Sequence, residues 1–372
     1  MRLVLIWAVT WMTPLAASAA VLDAAAVRSV GEKYRQLVQA TYMEVTEKNR
    51  ILNAEVVALA RNPTEEQLAK AREAWKAARL VYSRTEAFRF YGGPIDQAET
   101  GAEPLLNAWP VDESYIDAVK GSPNAGIINN RKDFPKLDER TLIDGNGKGG
   151  ERNVSTGYHA VEFLLWGQDF STKSPGDRKA KEFASGTPGG TRRGEMLQTL
   201  TQLMVKQTTE LAKAWEPGAP YAKAFLAEKP EEIMRRILVG ATSLLADEMA
   251  GERLIVALEK NDPEHEQDCF SDFSLEDMKA NHVGVTRVFT ETGLDELFEK
   301  ASKKEAFALR KLRAQTLAEL EKIPAPLDRI LLDPKNKDRR KVEKAIASLQ
   351  REARAIDKVA KTWDVELNVQ AE

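Results

Sequence analysis

Asn336-Lys337-Asp338-Arg339-Arg340-Lys341-Val342-Glu343-Lys344-Ala345-Ile346-Ala347-Ser348-Leu349-Gln350-Arg351-Glu352-Ala353-Arg354-Ala355-Ile356-Asp357-Lys358-Val359-Ala360-Lys361-Thr362-Trp363 is the stretch that decides the fold. Val342, Ile346, Leu349, Ala353, Ile356, Ala360 and Trp363 alternate four and three apart. Side chains at that spacing share one helix face, which makes this the packing seam of a helical bundle. The run is short for a free-standing coiled coil, so the seam is expected to pack within the chain.

The same period recurs upstream. From Asp23 to Arg61 the residues Val27, Val30, Tyr34, Leu37, Thr41, Val45 and Leu52 follow helical spacing, and Asn62-Pro63 ends that helix. Thr64-Glu65-Glu66-Gln67 is a capping box for a second helix running to about Phe90, with Leu68, Ala71, Trp75, Ala78 and Tyr82 on its seam. Further helices are expected over Arg192–Trp215, Pro230–Asn261, Ala306–Leu320 and, with breaks, Ser274–Lys303. Pro230 with Glu231-Glu232 suits a helix start by ring geometry and by charge against the helix dipole. No stretch alternates convincingly with period two. The expected fold class is all-α, with two bundle-like lobes. No strict repeat occurs, and each half holds a long helix pair, which is compatible with a decayed duplication. The Gly/Pro-rich stretch Ser171–Gly190 separates the halves, giving domains 20–190 and 191–372. Tyr91–Asn153 is too long for a structureless connection and is expected to pack over something, broken by short turns such as Asp112–Val119.

At 43% hydrophobic and 30% charged residues, with a net charge of −3, the chain reads as a globular protein without the basic block that nucleic-acid binding needs. Residues 1–19 read as a signal peptide: Arg2, an apolar run Leu3–Leu15, and Ala17-Ser18-Ala19 before a mature start near Ala20. No other segment is long and apolar enough to span a membrane, so the expected location is a bacterial periplasm. Cys269 is the single cysteine, which rules out an intramolecular disulfide. It reads as a buried small hydrophobe or an exposed thiol, and burial preference favours the first.

The chemistry concentrates at Gly157-Tyr158-His159-Ala160-Val161-Glu162, a G-x-H-x-x-E run followed by Phe163-Leu164-Leu165-Trp166-Gly167. His159 and Glu162 share one helix face with apolar neighbours, so an imidazole and a carboxylate point into an apolar interior. Such a pair can be a satisfied core hydrogen bond, or it can hold a metal. Bundle metal sites draw ligands from several helices, so carboxylates that interrupt apolar seams are further candidates. Glu86 lies in the row Trp75, Arg79, Tyr82, Glu86, Phe90, and Glu248 in the row Ile237, Leu244, Glu248, Gly251, Ile255, Leu258. Each can instead be an ion pair: Glu86 with Arg79 or Arg89, Glu248 with an arginine from elsewhere. Asp247, Arg253 and the turn residue Asp96 are supporting candidates, as is Gly157. His265 and His282 read as surface or packing residues. No HExxH, GxSxG, P-loop or CxxC occurs. One histidine with several carboxylates is an oxygen-rich set, and the histidine tilts it toward iron or zinc.

These residues carry a resemblance. The Gly157–Gly167 run resembles the GxHxxE signature of the imelysin family of bacterial envelope proteins, particularly its iron-regulated members. Tyr82–Asp96, Asp247-Glu248 with Gly251-Glu252-Arg253, and Cys269-Phe270-Ser271-Asp272 resemble its other motifs. Such members often continue Asn-Thr-His, where this chain has Phe273-Ser274-Leu275, so that histidine is absent. The resemblance implies an all-α fold of two four-helix-bundle-like domains related by duplication, a site near the domain interface containing the GxHxxE residues, and a link to iron. The reading taken forward is a periplasmic protein holding iron, with zinc as the other candidate, as a bare ion or an iron chelate. His159 and Glu162 are its expected ligands, Glu86 and Glu248 further ones, and Arg253 orients a carboxylate or neutralises an anion. Two alternatives are a metallopeptidase with Glu162 or Glu86 as general base, and a scaffold presenting 91–153 to an envelope protein partner.

Overall fold

The computed structural model describes residues 22–261, 265–367 and 369. The expected signal peptide, residues 1–19, lies outside the described residues. Among the described residues no strand forms; Val119 and Ser122 make an isolated bridge.

Helix α1 spans Ala24–Arg61 and starts where Asp23 accepts the Ala25 and Ala26 N–H groups. Asn62-Pro63 ends it, and Thr64 caps α2, Glu65–Thr85, by accepting the Gln67 N–H. A 3-10 turn, Glu86–Phe88, prolongs α2. The covering segment contains α3 (Glu103–Leu106), α4 (Glu113–Ile116), α5 (Gly126–Asn129) and α6 (Glu139–Gly145). It packs over the motif helix α7, Gly157–Trp166, through α3, and over α8, Gly190–Ala214, through α5 and α6. Helix α9, Pro220–Ala227, leads to α10, Pro230–Ser243. A π-helical stretch, Leu244–Val256, continues α10 into α11, Ala257–Lys260. Then follow α12 (Ser274–Thr292), α13 (Leu294–Ala301), α14 (Lys303–Glu321), α15 (Asp328–Leu331) and α16 (Arg339–Ala360).

Two groups of four helices emerge. Helices α1, α2, α7 and α8 pack together, and so do α10 with its π stretch, α12, α14 and α16. Helix α8 follows residue 190 yet lies along α1, so the packing crosses that point in the chain. Helix α12 touches both groups, packing on α1 and α2 as well as on α14. Two glycines bring the groups close together. A Cβ on Gly240 would lie 2.4 Å from the Ala87 carbonyl oxygen, and one on Gly284 would lie 2.3 Å from that of Arg84. Only residues without a side chain let α10 and α12 pass this near the backbone at the end of α2. The seam of α16 is buried as its spacing predicts: Val342, Leu349, Ala353, Ile356 and Ala360 are inaccessible.

Candidate metal centre

Every residue of α7 is buried. Its start requires a glycine: Gly157 has φ +84°, and a Cβ there would lie 2.5 Å from the Leu106 carbonyl oxygen. Trp75 Nε1 donates to the Tyr158 carbonyl at 3.0 Å, and Tyr158 Oη donates to Asn49 Oδ1 at 2.9 Å. At the far end Arg72 donates to the Leu165 carbonyl, serving an acceptor that the last turn of a helix leaves free. Pinned at both ends, α7 aims His159 and Glu162 at the irregular segment 265–273.

That segment supplies Asp268. One ligand-capable atom each from His159, Glu162 and Asp268 lies within 4.8 Å of the others, and all three side chains are buried. His159 Nδ1 is 3.3 Å from Glu162 Oε2 and 3.5 Å from Asp268 Oδ1. Ser271 donates its N–H (2.9 Å) and hydroxyl (2.6 Å) to Glu162 Oε1, fixing that carboxylate from behind. Neither Asp268 oxygen has a hydrogen-bond partner, and neither does His159 Nε2. Arg79 Nε approaches Asp268 Oδ1 to 3.2 Å, an ion-pair distance without hydrogen-bond alignment.

Burial pushes the Glu162 carboxyl well above its usual range, and the Asp268 charge adds to this. Burial also raises Asp268, against the pull of Arg79 and Arg253. His159 is driven well below its usual value by burial and by those same arginines, so its imidazole is neutral. A neutral imidazole has one N–H. If Nε2 carries it, that donor is buried without an acceptor, and the Nδ1 lone pair faces two carboxylate oxygens. If Nδ1 carries it, the Nε2 lone pair is stranded instead. Either way a protein-only arrangement leaves buried polar atoms unserved, at about 1–3 kcal/mol each. A cation held by His159 Nδ1 and the two carboxylates would take up that lone pair and the Asp268 oxygens, with Nε2 carrying the N–H. Ligand bonds of about 2.1 Å to N and O span 3.3–3.5 Å at angles of roughly 105–115°, the range of a tetrahedral site. One nitrogen and two carboxylates are donors that iron, manganese and zinc accept.

A second network lies beside the trio. Arg253 is buried; it donates to Glu86 and, at 2.6 Å, to Asn281 Oδ1. Arg79 is buried too, donating to Asp277 Oδ2 at 2.9 Å and to Asn107 Oδ1 at 2.5 Å. Burial pushes Glu86 up, but Arg253, Arg89 and Arg79 outweigh it and hold the carboxyl below its usual range.

The profile of the Peptidase_M75 (imelysin) family matches residues 38–356. The chain belongs to the imelysin family. It is 23% identical over 264 residues to iron-regulated protein A of Synechococcus elongatus, a match that covers 68% of this chain and 61% of that relative. The chain thus spans less than two thirds of that relative's length. Two solved structures share the fold. One is described as an iron-regulated protein A precursor from Parabacteroides distasonis, with TM-score 0.72, 17% identity, and coverage of 93% of this chain and 97% of that one. The other is an imelysin-like protein from Psychrobacter arcticum, with TM-score 0.68, 14% identity, and coverage of 94% and 99%.

Within this imelysin fold the expected site residues divide. His159 and Glu162 stand together with Asp268. Glu86, expected as a further ligand, is not grouped with them: Arg253 and Arg89 hold its Oε2, and the Asn281 amide approaches Oε1 at 3.5 Å. Glu248 does not join them either. It lies at the edge with its side chain 20% exposed, 3.3 Å from Arg253. Its seam was drawn with the α-helical period; in the π stretch Leu244 of that seam is buried, but Gly251 and Ile255 are only half-buried, and Leu245, Met249, Ala250, Arg253 and Leu254 turn inward instead. Asp247 is exposed on the same stretch and supports nothing at the trio. Asp96 closes a turn by accepting the Phe90 N–H, remote from the trio in its bonding. Arg253 acts on Glu86 and Glu248, and Gly157 acts through backbone geometry. Of the other histidines, His282 is buried against Glu352 at 3.0 Å. Cys269 is half-buried rather than a core residue.

Sequence reading missed Asp268 and Ser271 as partners of the motif. Asp268 directly precedes the Cys269–Asp272 motif, and that adjacency was the available signal. Ser274 donates to Glu266 Oε1 at 2.7 Å and accepts the Asp268 N–H at 3.2 Å, and so braces the segment that carries Asp268.

Proposed function

We propose that this protein binds iron in the bacterial periplasm, on His159, Glu162 and Asp268, and serves iron uptake or handling. The observation that carries this reading is the buried trio, whose Asp268 oxygens accept no hydrogen bond and whose His159 Nδ1 faces two carboxylate oxygens. Glu162 is held in place by Ser271, Arg253 and Arg89 occupy Glu86, and Arg79 bonds Asp277 while pairing with Asp268 at 3.2 Å, which offsets part of the trio's negative charge. The names of two relatives, iron-regulated protein A and its precursor, support iron as the cargo. The leader-like residues 1–19 support the periplasm, and no described helix is long and apolar enough to cross a membrane. The trio's near-complete burial favours holding an ion over cutting a peptide, which would have to bring its own backbone to that point.

Calorimetric titration of the metal-free protein with ferrous iron, and separately with zinc, tests the proposal. One site per chain is expected, lost in a His159→Ala/Glu162→Ala double variant and in Asp268→Ala, and retained in Glu248→Gln. Equal binding by wild type and the double variant would sink it. So would elemental analysis that finds no iron or zinc in protein purified from its native periplasm.

A further inference from the structure

Residues 265–273 have a second side. Asp268 and Ser271 face the trio, while Glu266, Gln267, Cys269 and Phe270 line a cavity of about 270 Å³. Its walls are largely apolar, including Trp109, Val111 and Phe170, yet Asp169 and Asp328 also open into it. With Asp272 they form a cluster: one carboxylate oxygen from each lies within 4.8 Å of the others. Asp169 and Asp272 feel other carboxylates as their charged neighbours, and Arg329 bears on Asp328. Burial and this crowding lift the Asp169 carboxyl to about 6 and that of Asp272 to about 7.

An acidic cluster alone would say little. Two buried side chains in the same cavity say more. Glu266 is 2% exposed; its Oε1 accepts the Ser274 hydroxyl, and its Oε2 has no partner. Gln267 is 5% exposed, and both its side-chain oxygen and its nitrogen lack partners. Both line the cavity into which Asp169 and Asp328 open. Buried polar groups left unserved at a cavity wall mark the place of a ligand.

We propose that this cavity is a second, oxygen-only cation site. It takes a hard divalent ion, calcium foremost, on Asp169, Asp272 and Asp328, with the unpartnered Glu266 Oε2 on the adjoining wall. Carboxylate-only donors suit calcium, magnesium or manganese, whereas the imidazole of the trio suits softer ions. Calcium–oxygen bonds of about 2.4 Å let two donors on one ion stand up to ~4.8 Å apart, which covers the whole cluster. Calcium also accepts irregular oxygen shells completed by water and carbonyl groups. The Cys269 thiol lines the cavity but is not among the clustered donors. The site shares no ligand with the trio, so either can be right without the other.

The test is titration of the chelator-stripped full chain with calcium chloride, read by calorimetry and by the thermal midpoint. The expected result is one calcium per chain, with Kd on the order of 10⁻⁴–10⁻³ M or tighter, and a rise in midpoint. Binding is expected to persist in His159→Ala and to weaken at least tenfold in Asp169→Asn/Asp328→Asn. Because that double variant removes mutual repulsion, its calcium-free midpoint is expected not to fall. Should it fail to fold, terbium emission sensitised through Trp109 in wild type, displaced by calcium and lost in Asp272→Asn, carries the same test. Absence of calcium heat and of any midpoint shift at tenfold above the weak end of that range would overturn the site. So would unchanged binding in the carboxylate variants.

Discussion

Replacing Arg253 with Met probes the network that separates Glu86 from the trio. Arg253 is buried and meets Glu86, Asn281, Asp277 (3.7 Å) and the partly exposed Glu248. Met keeps most of the volume and removes the charge. Asp277 keeps Arg79 and Glu86 keeps Arg89, but Glu86 loses the first-ranked of its guanidinium partners. Breaking a buried pair from one side costs about 3–5 kcal/mol. The exposed Glu248 contact adds no more than about 1 kcal/mol. At about 2–4 °C per kcal/mol for domains of this size, the midpoint should fall by roughly 6–20 °C. The sign of the pH dependence follows from Glu86. Its folded-state pKa is depressed, so its stabilising contribution is present above the ordinary carboxyl pKa and fades as pH falls through the folded value. In the variant the carboxyl protonates at higher pH, so the gap between variant and wild type is widest at neutral pH and narrows toward pH 4. Urea unfolding at pH 7 and pH 4 measures both gaps. Adding Glu86→Gln to the Met variant removes the stranded charge and should recover about 0.5–3 kcal/mol. A loss under about 1 kcal/mol at pH 7, a gap that widens in acid, or no recovery in the double variant would refute the reasoning.

Three further outcomes are expected. Ser271→Ala removes the hydroxyl bond to Glu162 but leaves the backbone N–H bond; iron affinity should fall about 10–100-fold with an unchanged circular dichroism spectrum, read by calorimetry. Gly157→Ala forces a side chain into left-handed backbone against the Leu106 carbonyl; strain and overpacking together should cost about 2–5 kcal/mol in urea unfolding. Asp272 has a raised folded pKa of about 7, so stability associated with its protonated form is present in acid and lost as pH rises through that value. Asp272→Asn should therefore stabilise chelator-treated protein at pH 8 and leave it nearly unchanged at pH 4, measured by thermal midpoint.

The fold was largely legible because its signals are local and periodic. Pro63, Thr64 and Pro230 mark helix boundaries by backbone chemistry, and the α16 seam states its own period. The motif was legible for a different reason: two polar groups in a strongly apolar run demand a purpose. Asp268 was not legible, because it sits on an irregular segment where spacing carries no directional information. Of the two arginines that spacing offered to Glu86, Arg89 makes the pair at 3.1 Å, while the Arg79 guanidinium turns to Asp277 and Asn107, which arrive from other parts of the chain. Glu248 was misplaced because the periodic argument assumed i→i+4 bonding through a stretch that bonds i→i+5.

That stretch has a consequence for how one helix serves two neighbours. A π turn holds more residues than an α turn, so Leu244–Val256 acts as a phase shift inserted into a regular wave. Upstream of it, α10 sets Ile233 against Gly31 of α1 and brings Gly240 up to the Ala87 carbonyl, while also packing on α16. Through the stretch the rod stays on α16, and its buried row there includes Leu245, Met249 and Leu254. Arg253 reaches Glu86 from within that shift. Its position is thus written in the winding of the backbone, and a single-residue change in the length of the stretch would re-aim the guanidinium without altering any residue that touches it.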